Sequence, residues 1–507
     1  MPDNYYFESV ATTQPWLVRL TYVLLGALVM LSFAPFGFYP LATLLIVPLL
    51  YAFRMSPPKQ AFQLGFAFGA GLFLAGTYWL YVSIHVFGEA PLLLAIFLML
   101  ALVFIMALYY GAIGWFVSRF VSGGLLSFVV IVPAAWVFSE WLRGWFLSGF
   151  PWMTLGYGQI DSPLAGWAPL IGVYGLSFMV VISGSAILGA LLSSGKKRYP
   201  FVAIALLPWI TGFAFGSLNW TSENGPTVRT TIVQGGVSQD RKWLRDQFQS
   251  TLDLYRESIL AHGESDLVVW PEVAIPSVID QVEYFVSRIE QDLAVREQML
   301  LFGILERDLA AEKVFNSVVG VGGGSRQFYR KRHLVPFGEY FPVPDFVREW
   351  MRLMNLPYSD IDSGEAVQPL FELPGGTRLS VAICYEDAYA AEQLYALPEA
   401  GMLINVSNDA WFGDSIAPHQ HLEIARMRAL ESGREVVRAT NNGVSAFIGY
   451  DGRIVEQGPQ FEYVAMTHDV QPRSGLTPFA RFGNWPVILL SFATVLFAAR
   501  SVRSRPK

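Results

Sequence analysis

Long apolar runs alternate with short polar breaks from Trp16 to Leu218, and one further apolar run lies near the C-terminus. A helix needs about 20 apolar residues to cross the ~30 Å hydrocarbon core of a bilayer. By that measure the sequence predicts a membrane protein with about eight transmembrane helices, at 16–36, 39–54, 61–84, 91–118, 124–146, 164–193, 199–217 and 482–500.

Basic residues fall in alternate connections of this pattern. They follow spans two, four, six and eight, as Arg54, Lys59, Arg119, Lys196, Lys197, Arg198, Arg500, Arg503, Arg505 and Lys507. Positive charge marks the cytoplasmic side of a membrane protein. We therefore expect both termini in the cytoplasm and the polar region after span seven on the outer side, which in a bacterium is the periplasm.

The polar region after span seven alternates strand-like and helix-like segments. Short apolar runs predict strands at 227–235, 266–271, 298–305, 314–322, 378–384, 401–408, 444–450 and 463–470, with helices at 246–262, 282–297 and 421–433. About 250 residues with this alternation indicate one α/β domain. The predicted organisation is a seven-helix bundle at 1–218, an outer domain at 219–481, and an eighth helix with a basic tail at 482–507.

Composition supports this division and excludes some classes of protein. Of the 507 residues, 53% are hydrophobic and only 15% are charged, whereas soluble domains carry about 25% charged residues. The net charge of -6 argues against a basic nucleic-acid binder, so no nucleic-acid partner is expected. The single cysteine excludes an internal disulfide and a cysteine-rich metal site.

Three reactive residue types each follow an apolar strand of the outer domain. Glu272 lies in WPE, Lys331 in YRKRHLVPFGE and Cys384 in CYE. A nucleophile at a strand end is exposed beside backbone N–H donors. Each residue alone also has an ordinary structural interpretation, as a buried small side chain, a solvated lysine or a helix cap. Their occurrence together in one domain favours catalysis.

These motifs resemble the nitrilase (carbon–nitrogen hydrolase) superfamily, and Trp243 in QDRKW and the stretch SNDAWFG (407–413) add to the resemblance. With the predicted spans, the whole chain resembles the bacterial apolipoprotein N-acyltransferase family. The resemblance implies an α-β-β-α sandwich. It also implies transfer of an acyl chain from a phospholipid donor to the N-terminal amine of the diacylglyceryl-cysteine of an apolipoprotein acceptor, at the bacterial inner membrane.

The resemblance also implies roles for individual residues. Cys384 is the nucleophile that forms a thioester, Glu272 the general base, and Lys331 the group that stabilises the negative charge. Supporting residues are Glu339, Tyr385 and Glu386, and Trp243 lies near the substrate entrance. No cofactor and no metal are expected, although His419, His421 and Glu423 form an HxH-like group.

Candidate lipid contacts lie in three further segments. In 140–163, rich in Trp, Gly and Pro, either an interfacial aromatic belt or a headgroup pocket with Arg143 facing a phosphate fits the pattern. In 341–357, which contains Trp350, either a packed amphipathic helix or a mobile arm reaching the outer leaflet fits. Trp411 of SNDAWFG is a further candidate.

Two other functions compete with acyl transfer. A membrane-anchored amidase would use the same triad and release the acyl group to water. A transporter with a degenerate outer domain is disfavoured, because the spans contain few ionisable residues, mainly Arg19, His85 and Glu140.

Overall fold

The structure is a computed structural model that describes residues 14–121, 123–340 and 361–503. Its chain divides into two compact units. Unit 1 comprises Met1–Leu218, Asp414–Glu423 and Phe482–Lys507, and unit 2 comprises Asn219–Gly413 and Ile424–Arg481. The stretch 341–357, with Trp350, lies outside the described residues.

The helices of the described residues are α1 (Pro15–Val29), α2 (Pro40–Met55), α3 (Pro58–Gly76), α4 (Leu92–Phe120), α5 (Leu125–Arg143), α6 (Ala168–Leu191), α7 (Tyr199–Phe215), α8 (Arg245–Ala261), α9 (Glu283–Ala294), α10 (Ala417–Ser432), α11 (Pro478–Phe482) and α12 (Trp485–Arg503). Helices α1 to α7 and α12 belong to unit 1.

Within the part of the chain that the structure describes, five helical segments are long and apolar enough to cross a membrane: Pro15–Ser32, Leu92–Phe120, Leu125–Arg143, Pro163–Leu191 and Gly195–Phe215. Each of the eight predicted spans contains a helix, but α2 and α12 are shorter apolar helices, and α3 ends at Gly76 within the predicted span 61–84. The described residues therefore contain five helices long and apolar enough to span a membrane, and the predicted number of eight is not confirmed.

Small residues let the helices of unit 1 approach closely. A Cβ atom on Gly26 of α1 would lie 1.9 Å from the carbonyl oxygen of Phe68 in α3. A Cβ atom on Gly71 of α3 would lie 1.9 Å from the carbonyl oxygen of Val23 in α1. Such close backbone contact through small residues is typical of helices that associate in lipid, where no hydrophobic effect drives them together.

The segment 414–423 is held within unit 1 by polar contacts. The Gln420 side-chain oxygen accepts hydrogen bonds from the indole N–H groups of Trp79 (3.2 Å) and Trp152 (2.8 Å). Its amide nitrogen donates to the Gly76 carbonyl at 3.2 Å. All of these side chains are buried, so each bond satisfies a group that water does not reach.

The described residues of unit 2 form two six-stranded sheets and one short strand pair. The strands are β1 (Ser222–Glu223), β2 (Val228–Gln234), β3 (Leu267–Val269), β4 (Met299–Asp308), β5 (Lys313–Val321), β6 (Gln327–Arg330), β7 (Phe371–Glu372), β8 (Arg378–Ile383), β9 (Met402–Ser407), β10 (Val436–Thr440), β11 (Ala446–Ile448), β12 (Ile454–Gln457), β13 (Val464–Val470) and β14 (Arg473–Ser474). One sheet has the order β13-β2-β3-β4-β5-β6, the other β12-β11-β10-β9-β8-β7, and β1 pairs with β14.

The two sheets of unit 2 pack face to face. Their shared core includes Ile232 and Leu301 from the first sheet and Val381 and Ile404 from the second. Helices α8 and α9 cover the outer face of the first sheet, in a separate cluster that contains Tyr255 of α8. Helix α10 connects the parallel strands β9 and β10, and such crossovers place their helix on a sheet face.

This order of layers, helix, sheet, sheet and helix, is the sandwich that the resemblance implied. Each of the eight strands and three helices predicted for the polar region has a counterpart in the structure. Strands β2, β3, β8 and β9 are buried on both faces, which is why they are nearly continuous apolar runs in the sequence.

Candidate active site

Glu272 lies just beyond the carboxyl end of β3, on a tightly bent segment. The next residue, Val273, has a φ of 45°, a left-handed conformation that β-branched residues rarely adopt. A Cβ atom on Gly303 of β4 would lie 2.6 Å from the Glu272 Cα atom. Glycine at position 303 therefore lets β4 pass directly under the turn that presents Glu272.

Lys331 follows β6 and joins two carboxylates. Its Nζ atom lies 3.2 Å from Glu272 Oε1 and 2.8 Å from Glu339 Oε1. The lysine side chain is 1% exposed, so both ion pairs are shielded from water. An ammonium group has three N–H donors, and these two bonds leave one for another acceptor.

Asn316 of β5 closes this arrangement into a ring of four groups. Its amide nitrogen donates to Glu272 Oε1 at 2.8 Å and to Glu339 Oε1 at 3.0 Å. The backbone carbonyl of Asn316 also accepts from the Lys331 N–H at 2.8 Å. Each carboxylate thus accepts from both the ammonium and the amide. The ring fixes both carboxylates against Lys331.

The charges of the ring keep Lys331 protonated. Burial alone lowers the pKa of a lysine, but the carboxylates of Glu272 and Glu339 raise the pKa of Lys331 well above 10.5. Lys331 therefore acts as a permanent positive charge. The second oxygen of Glu272, Oε2, accepts no hydrogen bond from the described residues, and is open to receive a proton.

Cys384 directly follows the last residue of β8 and has a strained backbone. Its φ is 51°, an uncommon value for a residue with a side chain, and such strain clusters at functional sites. The residue is partly buried. Burial and the charge of Glu272 raise the pKa of its thiol above the ordinary value, and they outweigh the opposing charge of Lys331. The resting sulfur therefore carries its proton.

Glu386 connects the segment of Cys384 to the segment of Lys331. Its buried carboxylate accepts from the backbone N–H of Ile383 at 2.7 Å and from that of Arg332 at 2.7 Å. The Tyr329 hydroxyl donates to the same carboxylate at 3.0 Å. Burial raises the pKa of Glu386 to about 7, although the two backbone hydrogen bonds lower it.

The structure brings the predicted catalytic and supporting residues together in unit 2. Glu272, Lys331 and Glu339 share the ring, and Cys384 interacts electrostatically with Glu272 and Lys331. Tyr385 is buried, and its ring lies 5.2 Å from that of Tyr389.

Sequence reasoning missed Asn316 and Lys242. Lys242 is 2% exposed, and its ammonium donates to the Glu272 carbonyl oxygen at 3.3 Å. Burial lowers the pKa of Lys242 to about 8, against the raising effect of Glu272. A polar residue inside the apolar strand VFNSVVG was the one available signal for Asn316.

The candidate lipid-contact residues have different surroundings. Trp243 and Trp411, both in unit 2, are 54% and 40% exposed. Arg143, in unit 1, is buried, and its guanidinium donates to the carbonyl oxygens of Phe150 (2.7 Å) and Trp152 (2.5 Å). The Arg143 guanidinium therefore already binds backbone carbonyl groups of the protein. Trp350 lies outside the described residues.

Comparison with known proteins identifies first the class and then the family. The carbon-nitrogen hydrolase family model matches residues 229–477, which contain the ring and Cys384. The model of the apolipoprotein N-acyltransferase N-terminal domain matches residues 25–186. The chain belongs to the apolipoprotein N-acyltransferase family.

Full-length relatives support this family assignment. The apolipoprotein N-acyltransferase of Azotobacter vinelandii is 40% identical and aligns over 97% of this chain and 98% of its own length. That of Methylococcus capsulatus is 37% identical over 94% of this chain and 95% of its own length. Among solved structures, Nit3 of Saccharomyces cerevisiae, of the nitrilase superfamily, is 18% identical, with a TM-score of 0.39, over 50% of this chain and 93% of that chain.

Proposed function

We propose that this enzyme moves an acyl chain from a phospholipid to the N-terminal amine of the diacylglyceryl-cysteine of apolipoproteins, through a thioester on Cys384. The observation that carries the proposal is the ring of Glu272, Lys331, Glu339 and Asn316 beside the only cysteine of the chain. It is supported by the names of the full-length relatives.

In the first half-reaction, Glu272 Oε2 takes the proton of the Cys384 thiol as the sulfur attacks the ester carbonyl carbon. The developing oxyanion is stabilised by the remaining N–H of Lys331. The ester C–O bond then breaks, and Glu272 returns its proton to the leaving alkoxide. The products are a lysophospholipid and an acyl thioester on Cys384. Because the resting thiol is neutral, the base must act during attack rather than before it.

In the second half-reaction, the amine of the lipoprotein attacks the thioester carbonyl. Glu272 accepts a proton from the amine, the C–S bond breaks, and the proton passes to the thiolate. The result is an amide and the original thiol. Electrons and protons balance among these side chains, so the scheme requires no cofactor and no metal.

Both substrates carry long acyl chains, which explains why this chemistry belongs at a membrane. Each CH₂ group moved into water costs ~0.8 kcal/mol, so a chain of about 16 carbons stays in the bilayer. We propose a multi-pass protein of the bacterial inner membrane, with an N-terminal bundle at 1–218, a periplasmic catalytic domain at 219–481, and an eighth helix with a cytoplasmic tail at 482–507. Reporter fusions at both termini and at Asn224 test this orientation.

We propose that four residues contact the lipid substrates. Exposed Trp243 and Trp411 offer aromatic surface to substrate acyl or headgroup atoms. Arg143 and Trp350 complete the proposed set. Alanine variants at Trp243 and Trp411 are expected to lower acyl loading at limiting lipid and to approach wild-type rates at saturating lipid.

The test is intact-mass analysis of purified full-length protein after incubation with one defined phospholipid. The wild type should gain one acyl mass and release lysophospholipid, and Cys384→Ala should gain nothing while melting at the wild-type temperature. Glu272→Gln should stay unloaded as well. An acyl adduct on Cys384→Ala contradicts the proposal. Free fatty acid released with turnover, without a persistent adduct, supports the membrane-anchored hydrolase instead.

A further inference from the structure

A second set of polar groups lies near Cys384, and the proposed mechanism does not use it. Strands β8 and β9 are parallel neighbours, with Ile383 paired to Val406. Cys384 directly follows Ile383 and Ser407 directly follows Val406, so the two residues are neighbours at this end of the sheet. The Ser407 side chain is fully buried, and a carboxylate oxygen of Asp409, its hydrogen-bond partner, lies within 4.8 Å of the Cys384 sulfur.

The Ser407 hydroxyl is held by an acid and an arginine. Its oxygen lies 2.9 Å from Asp409 Oδ1. The other Asp409 oxygen, Oδ2, accepts from the Arg438 guanidinium at 2.8 Å. Arg438 of β10 also donates to Asn405 Oδ1 at 2.5 Å, and it is fully buried. The backbone at Gly443 passes close to Asp409, since a Cβ atom on Gly443 would lie 2.6 Å from the Asp409 Cβ atom.

A hydroxyl group has one hydrogen, so Ser407 cannot donate to both neighbours at once. While it donates to Asp409, its oxygen can only accept the S–H hydrogen of the resting thiol. When the sulfur loses its proton to Glu272, the hydroxyl hydrogen can rotate from Asp409 to the thiolate. Hydrogen bonds to charged acceptors are stronger than those between neutral groups, so the rotation favours the ionised sulfur.

We propose that Ser407 is a further catalytic residue, whose hydroxyl turns from Asp409 to the Cys384 sulfur as the thiolate forms, and that Asp409 and Arg438 are the positioning residues that hold it. No bond is made or broken at Ser407, and its proton stays on its oxygen. This inference rests on the proposed role of Cys384 as nucleophile, but it can be measured without lipid.

The two partners of the hydroxyl predict opposite effects on the sulfur. Ser407→Ala removes a donor to the thiolate and should raise the pKa of Cys384 by about one to two units, the value of one charged hydrogen bond. Asp409→Asn removes the negative charge and replaces the carboxylate by a weaker amide acceptor, and should lower that pKa. The other charged groups of unit 2 that act on this sulfur, Glu272 and Lys331, are unchanged in both variants.

The experiment measures the rate of iodoacetamide alkylation of the full-length protein by intact mass, at a fixed pH of about 8. With one cysteine in the chain, every adduct reports on Cys384. We expect alkylation roughly three- to tenfold slower in Ser407→Ala and faster by a similar factor in Asp409→Asn. Ser407→Thr, which keeps the hydroxyl, should stay within about twofold of the wild type.

The matched control is Ser380→Ala in β8, because the Ser380 hydroxyl is buried without a hydrogen-bond partner among the described residues. Its alkylation rate should equal that of the wild type. Equal rates for Ser407→Ala and Ser380→Ala, or shifts of the same sign at Ser407 and Asp409, overturn the inference. Opposite shifts in a protein that never accepts an acyl group from phospholipid leave it intact and refute the proposed function alone.

Discussion

Replacing Lys331 by methionine tests the charge balance of the ring directly. The change removes one buried ammonium and leaves Glu272 and Glu339, whose oxygens lay 3.2 Å and 2.8 Å from it, without their positive partner. Breaking a buried ion pair by removing one partner costs about 3–5 kcal/mol. For a unit of about 250 residues, 1 kcal/mol corresponds to roughly 2–4 °C, so the melting temperature should fall by about 10 °C.

A second substitution separates charge from packing. Glu272→Gln in the Lys331→Met background removes one of the two stranded carboxylates while keeping the oxygen that accepts from Asn316. We expect the double variant to regain at least half of the lost melting temperature and to remain unable to load an acyl chain. Stability returns because the repulsion is gone, whereas the base and the oxyanion donor are still missing.

Thermal unfolding in detergent measures stability, and intact mass after incubation with phospholipid measures loading. Lys313→Met serves as the control, because Lys313 is an exposed lysine of the same sheet, and its loss should change stability by less than about 0.5 kcal/mol. A Lys331→Met protein that melts with the control, or a double variant that melts below the single one, would show that the ring does not carry the assigned charges.

Three other predictions concern the surroundings of the ring. Asn316→Leu removes the two hydrogen bonds that hold the carboxylates in place and should slow acyl loading at least tenfold, with normal loading counting against the ring as the positioning device. Gly303→Ala should displace Glu272 and slow loading at least tenfold, whereas Gly375→Ala, where a Cβ atom meets nothing, should not. The pKa of Glu386 is about 7, above the ordinary 4.5, so its carboxylate becomes protonated as the pH falls below 7. The added proton then faces the N–H and O–H groups that donate to this carboxylate, and loading should slow. The folded state holds this proton more tightly than the unfolded state, so the free energy of unfolding should fall as the pH rises from about 4.5 to 7, whereas loading should become faster over the same range. Both pH dependences should be absent in Glu386→Gln.

The sequence predicted the strands of unit 2 well because buried strands form uninterrupted apolar runs. It missed β10, a strand of five residues with an arginine at its centre. A charged residue there indicates solvent exposure, but Arg438 is buried and paired with Asp409. Only the tertiary structure supplies that partner, 29 residues away in the chain.

The catalytic residues were predictable through the motifs around them, and their supporting groups were not. Asn316 meets carboxylates 44 and 23 residues away, and nothing in its own strand indicates which side chains it faces. The membrane helices show a similar limit. A count of apolar residues continues through Gly76 and Thr77, whereas the backbone of α3 stops there. Hydropathy measures composition, and helix ends depend on local backbone geometry.

The neutral thiol of Cys384 also bears on the durability of the enzyme. Oxidants and disulfides attack thiolates, and a sulfur that keeps its proton at rest is a slow target for both. A chain with one cysteine has no second thiol with which to form an internal disulfide that a reductant could later reopen. Holding the sulfur protonated until an ester arrives therefore protects the one atom that the enzyme cannot replace.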